Sequence, residues 1–104
     1  MTKVEIFNQD GRINGFSVSG HSGYGEEGTD IVCAAVSSAA YMTANTLTDV
    51  CKLSADIDVA DGMMSLLLTE TNSSAKTVLE GFLLHVNELQ KQYPKRIQVL
   101  KTEV

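Results

Sequence analysis

Tryptophan is absent from this chain of 104 residues, proline occurs once and cysteine only twice. Two cysteines are too few for a disulfide scaffold. On one continuous helix, the separation of 18 positions between Cys33 and Cys51 places them roughly 27 Å apart at 1.5 Å per residue. No bridge spans that distance, so a reduced, cytoplasmic protein is expected. Positive charge is also scarce. The net charge is −5, with three basic and six acidic residues over 1–52 and five and seven over 53–104. Without a basic stripe, direct nucleic-acid binding is not expected. An acidic surface suits a basic partner instead, such as a ribosomal or other nucleic-acid-binding protein. No apolar run approaches the ~20 residues that span a bilayer. The segment Met1 to Asp10 has neither the apolar core nor the small-residue cleavage site of a signal peptide.

What is present is one modest globular domain, 1–104, with 43% hydrophobic and 20% charged residues. Val4 to Phe7 and Ile13 to Ser19 read as strands joined by Asn8-Gln9-Asp10-Gly11, which has hairpin-turn chemistry. Residues 20–29 hold four glycines and read as a mobile loop. Thr29 or Asp30 can cap the helix that follows, predicted from about Ile31 to Cys51 by its apolar pattern. Its first turns are small-sided (Ala34, Ala35, Ser37, Ser38, Ala39, Ala40), which permits close approach by a sheet, a helix or another subunit. Ala55 to Val59 and Met63 to Thr69 follow as strands around Asp61-Gly62, a strong two-residue turn. Asn72, Ser73 or Ser74 caps a second helix whose stripe Ala75, Val78, Leu79, Phe82, Val86, Leu89 has helical spacing. Tyr93-Pro94 ends it, and Ile97 to Lys101 is a last strand.

The order β-β-α-β-β-α-β predicts an α/β (α+β) domain: a mixed, mainly antiparallel five-stranded sheet with both helices on one face. The other face then meets water or a partner. Leu66-Leu67-Leu68, apolar on both sides, favours a partner, so a homodimer is expected.

The chemistry-bearing residues cluster at Gly20-His21-Ser22-Gly23-Tyr24 and Asp30-Ile31-Val32-Cys33-Ala34-Ala35-Val36-Ser37. A cysteine in an alanine-rich helix is ordinarily a small buried hydrophobe. Cys33 differs by position. It lies in the first helical turn, where unpaired N–H groups and the positive dipole end favour a thiolate, just after a glycine-rich loop. An imidazole such as His21 can take the thiol proton. Cys51, at the negative end of the same helix, reads as structural, and His85 as an ordinary helix residue. Asp30 has two open roles: a cap worth about 1 kcal/mol, or a carboxylate orienting His21. Ser37, one turn beyond Cys33 on the same face, packs or touches substrate, and Tyr24 anchors the loop or contacts substrate. Glu26 and Glu27 form a solvated acidic rim. No second ligand pair has zinc spacing, and the glycine loop lacks the lysine of a phosphate cradle; no metal or cofactor is expected.

These two segments, with Gly28, resemble the signature of the ribosomal-processing cysteine proteases, the Prp family, as do the length and element order. The resemblance implies a bacterial, cytoplasmic, homodimeric endopeptidase. Its substrate would be an N-terminally extended large-subunit ribosomal protein, the twenty-seventh in standard order, trimmed during ribosome maturation. By position His21 would be the base and Cys33 the nucleophile, with Asp30 in support and Gly20, Gly23, Tyr24 and Ser37 near substrate. Ser22 stands where alanine is often expected. Backbone N–H groups beginning with that of Cys33 are the expected oxyanion hole. Two other classes compete: a non-enzymatic binding module for a basic ribosomal protein, and a thiol redox sensor built on Cys33.

Overall fold

The computed structural model describes residues 1–20 and 30–104 of the protein. The elements are β1 (Thr2–Gln9), β2 (Arg12–Ser19), α1 (Ile31–Asn45), β3 (Ala55–Ala60), β4 (Met63–Leu68), α2 (Ser73–Gln92) and β5 (Ile97–Glu103). They form one five-stranded sheet in the order β3-β4-β2-β1-β5. The pair β1 and β5 is parallel and the other three pairs are antiparallel. This is the expected order and layering.

Local chemistry explains the boundaries. Asp10 and Gly11 both have positive φ, 53° and 79°, so the first hairpin turns on two residues of the kind that matches strand twist. The strands therefore run closer to the turn than expected, Gln9 pairing with Arg12, with a register shift between Phe7 and Asn8. The first helix is regular only to Asn45; Thr46–Val50 is a π-helical turn, and Cys51 donates its N–H to Thr46 O at 2.8 Å. The cause is visible in the threonines. Thr43, Thr46 and Thr48 each donate a hydroxyl to the carbonyl four residues back, a bond that competes with the helical ladder and bends it. At the start of α2, Asn72 accepts from Ala75 N–H at 2.9 Å, closing one orphan donor.

The register places Val4 and Ile6 opposite Val18 and Phe16, and these opposite Met64 and Leu66. This apolar face packs on Val32, Val36 and Ala40 of α1 and on Ala75, Leu79, Phe82 and Val86 of α2. The rings of Phe16 and Phe82 lie 4.4 Å apart between centroids, within the range where aromatic pairs add about 0.5–1.5 kcal/mol beyond burial. The opposite face carries Lys3, Glu5, Ser17, Ser65 and Asp58 together with half-buried Phe7, Leu67 and Leu100. Exposed apolar side chains lie elsewhere, on the helical layer (Tyr41, Met42, Leu84) and along β3 (Ile57, Val59).

The span Ile31–Val50, 20 residues with an 18-residue stretch of mean hydropathy 1.2, is long and apolar enough by length and composition to cross a bilayer. That is more than the sequence reading allowed. In this fold it supplies Val32, Val36, Ala40, Ala44 and Leu47 to the core, so its apolar residues are those that pack against the sheet and the second helix.

Candidate functional site

Asp30 sits just ahead of α1 in an extended conformation, and its Oδ1 accepts the Cys33 N–H at 2.9 Å. Only 6% of Asp30 is exposed. The cap role is therefore present in the structure. It also corrects one expectation: the Cys33 N–H is engaged by this carboxylate and is not a free oxyanion donor. The preceding N–H groups of the first turn, those of Ile31 and Val32, carry no hydrogen bond among the described residues and are the donors that remain there.

Cys33 is partly exposed and free. Its Sγ stands 3.8 Å from Gly20 O, a weak contact in which the thiol donates. Gly20 is held from three sides. Its N–H donates to Gly62 O at 3.1 Å, its φ is +80°, and a side chain there would meet Met1 O at 2.6 Å. Only glycine occupies such a position without strain. The end of β2 is thus fastened directly against the thiol.

A cavity of about 230 Å³ opens beside Cys33, lined by Gly20, Ser37, Tyr41, Gly62, Met63 and Met64 among others. Ser37 and Gly20 stand where the sequence reading put them, next to the thiol. Tyr41 was missed, although the spacing 33, 37, 41 marks one helix face. The β3–β4 turn was missed for a different reason: Gly62 and Met63 reach Cys33 through sheet pairing, which local pattern does not encode. His21, Gly23 and Tyr24 lie outside the described residues. His85 and Cys51 do not join this cavity; His85 lines a groove on the opposite flank of α1, and Cys51 packs against the core. Among the described residues no group of three potential ligands is placed to hold a metal.

A thiol at a helix start, beside a cleft with apolar walls and the hydroxyls of Ser37 and Tyr41, can attack a carbonyl carbon and hold the resulting acyl group. The comparisons with known proteins agree with that chemistry. Residues 1–98 match the family model described as cysteine protease Prp. The ribosomal processing cysteine protease Prp of Staphylococcus aureus is 27% identical over 103 residues, spanning 95% of this chain and 97% of that protein. Two crystal structures of the essential S. aureus ribosomal processing protease Prp also match. One, in complex with a covalently linked product peptide, superposes with a TM-score of 0.90 at 25% identity, covering 98% of this chain and all (100%) of that one. The other, in complex with a substrate peptide, gives 0.86 at 25% identity with the same 98% and 100% coverage.

Proposed function

The chain belongs to the cysteine protease Prp family, and on that premise we propose that it removes the N-terminal extension of the twenty-seventh large-subunit ribosomal protein, through a Cys33–His21 dyad. The chain is a cysteine protease of the ribosomal-processing type; the substrate, dyad, assembly and compartment are the proposal. One observation carries it: Cys33 stands in the first turn of α1 with its Sγ against Gly20, beside a cavity of about 230 Å³, and His21 follows Gly20 in the chain.

His21 takes the thiol proton, and the thiolate adds to the scissile carbonyl carbon. The oxyanion is met by first-turn N–H groups, those of Ile31 and Val32 being the available donors. The tetrahedral intermediate collapses as imidazolium gives its proton to the leaving amine, which leaves with the C-terminal product. Water, deprotonated by neutral His21, then releases the extension from the sulfur. Asp30 orients His21 while it caps α1. Gly23 and Tyr24 of the intervening segment contact the peptide, as does Ser37. The work is done in the cytoplasm, where thiols stay reduced.

The enzyme acts as a homodimer. Support comes from the groove between α1 and α2, with a cavity of about 630 Å³ walled by Ala35, Ala39, Met42, Val78 and Phe82. Met42, on the wall of this groove, is 73% exposed and Leu84 of α2 64%, apolar surface of the kind that a partner covers. Light scattering at micromolar concentration should give twice the chain mass, and Met42→Glu should halve it; a monomeric mass for the unaltered protein sinks this assembly.

Mass spectrometry of the extended ribosomal protein, incubated with the enzyme and with Cys33→Ala, tests the reaction. One defined N-terminal cut, lost in the variant, is expected. No cut by either protein with stable binding by both would make this a binding module.

A further inference from the structure

Strand β3 ends the sheet, and no hydrogen bond among the described residues reaches its outer edge. Exposed edges invite pairing, and folded proteins ordinarily blunt them. The opposite edge is treated that way: on β5, the Val99 N–H is taken by Gln90 Oε1 at 2.7 Å. Strand β3 keeps its edge open.

Its backbone is also aimed outward at known positions. Thr69 N–H donates to Ser54 O at 3.0 Å, and the pairing runs regularly from Ala55 opposite Leu68 to Ala60 opposite Met63. Antiparallel bonding alternates along a strand. Ser54, Asp56 and Asp58 therefore bond β4, while Ile57 and Val59 turn their N–H and C=O groups outward. The side chains alternate too. Ile57 and Val59 pair with Leu66 and Met64 on the helix-bearing face, yet are 43% and 59% exposed. Asp56 and Asp58 occupy the other face.

This edge is continuous with the cleft. Ala60 and Gly62, at its end, line the same cavity as Cys33. Resting on the protease reading above, we propose that the free edge of β3 is the docking strand for the substrate peptide. The peptide adds to the sheet as a sixth strand, its alternate residues apolar over Ile57 and Val59 and basic over Asp56 and Asp58. Main-chain bonds supply affinity and the alternating side chains supply selectivity. Six residues at ~3.3 Å each give a track of about 20 Å leading to the thiol. A second copy of the chain is disfavoured on this edge. Antiparallel β3–β3 pairing would set the aspartates of one copy against those of the other, and like charges directly opposite destabilise.

Val59→Pro is the decisive change. It deletes an outward N–H and blocks a sixth strand, while leaving the β3–β4 ladder whole. The probe is a fluorescent peptide of the first twenty or so residues of the extended ribosomal protein. Its Kd is measured by anisotropy on full-length Cys33→Ala with and without Val59→Pro. An increase of about tenfold or more is expected. Asp56→Asn with Asp58→Asn should weaken binding two- to fivefold or so and flatten its salt dependence. The rate of Cys33 alkylation by iodoacetamide in Val59→Pro should be unchanged, which shows an intact site. Should Val59→Pro fail to fold, the native protein serves: N-methylation at successive peptide amides should weaken binding at every second position.

Equal Kd for both proteins, or a methylation scan without a two-residue period, overturns the docking strand. Cleavage by the unaltered enzyme is scored separately. A clean cut with no β3 effect removes this inference alone; a β3 effect without a cut removes the protease substrate and keeps the docking strand. Pairing of two copies through β3, read as a concentration-dependent mass that Val59→Pro abolishes while peptide binding is unchanged, also overturns it.

Discussion

Asp30 caps α1, and one pair of substitutions tests whether it also orients His21 as proposed. Its Oδ1 accepts the Cys33 N–H at 2.9 Å from a site only 6% exposed. Removing a cap acceptor costs about 0.5–2 kcal/mol, and a bond to a charged group sits at the upper end, near ~1.5–3. Asp30→Ala should thus lose about 2 kcal/mol, or roughly 10 °C of Tm for a domain of this size. Asp30→Asn keeps an acceptor at the same place and should lose about 0.5 kcal/mol, since asparagine caps almost as well. Thermal unfolding followed by circular dichroism in reducing buffer reads both. The same two proteins are then assayed for cleavage. If the carboxylate orients His21, Asp30→Asn lowers kcat about tenfold or more despite its near-native Tm. Normal turnover in a folded Asp30→Asn leaves the cap as the sole role. Equal losses of Tm in the two variants, or a loss below about 0.5 kcal/mol for alanine, refute the cap argument itself.

Other perturbations follow from single contacts. Phe82→Ala empties the place beside Phe16, where the rings are 4.4 Å apart; about 3–5 kcal/mol should be lost in urea unfolding, a large share of the ~5–15 typical of a domain. Gly20→Ala combines a φ of +80° with an approach of 2.6 Å to Met1 O. It should cost about 1–2 kcal/mol yet depress kcat/KM far more than that loss implies, because the same residue touches the thiol; parallel losses would sink the link. Glu70 accepts from Ser54 N–H at 3.0 Å, and hydrogen bonding from Ser54 holds its carboxyl below the ordinary value of 4.5. A folded pKa below the unfolded one means the bond stabilises above pH 4.5 and fades as pH falls through the lower folded value. Glu70→Gln should therefore flatten the acid limb of a urea stability profile between about pH 3 and pH 6, leaving its neutral plateau nearly level.

Turn and cap chemistry was the most legible part of the sequence. Asp10-Gly11, Asp61-Gly62, Asn72 and Asp30 act through neighbours within a few residues, and the structure uses each where its residue type pointed. The π-helical turn after Asn45 was not legible, since Thr46 and Thr48 look like ordinary helix residues until their hydroxyls bond backward. That the helices stop short of covering Ile57 and Val59 was not legible either; coverage depends on where distant elements end. The thiol site divides the same way. Cys33 and Ser37 were found from spacing along the chain and Gly20 from the family resemblance, whereas Met63 and Gly62 arrive from a hairpin some thirty residues on. His21, Gly23 and Tyr24 lie outside the described residues.

The parallel pairing of β1 with β5 joins Thr2 to Ile97, residues 95 positions apart (97 − 2), while the other side of β1 is a two-residue hairpin. Their kinetics must differ widely. A hairpin closes in about 1–10 μs, but docking β5 pays the entropy of a loop almost as long as the domain before any contact repays it. Docking of β5 is thus late, and β1 waits as an edge until it occurs. Substitutions at the β5 side of this seam, such as Ile97→Val, belong to contacts absent from the transition state and should speed unfolding while leaving the folding limb of the chevron almost unmoved. The lifetime of the folded enzyme is therefore set at the seam between its first and last strands, away from the cleft where it works.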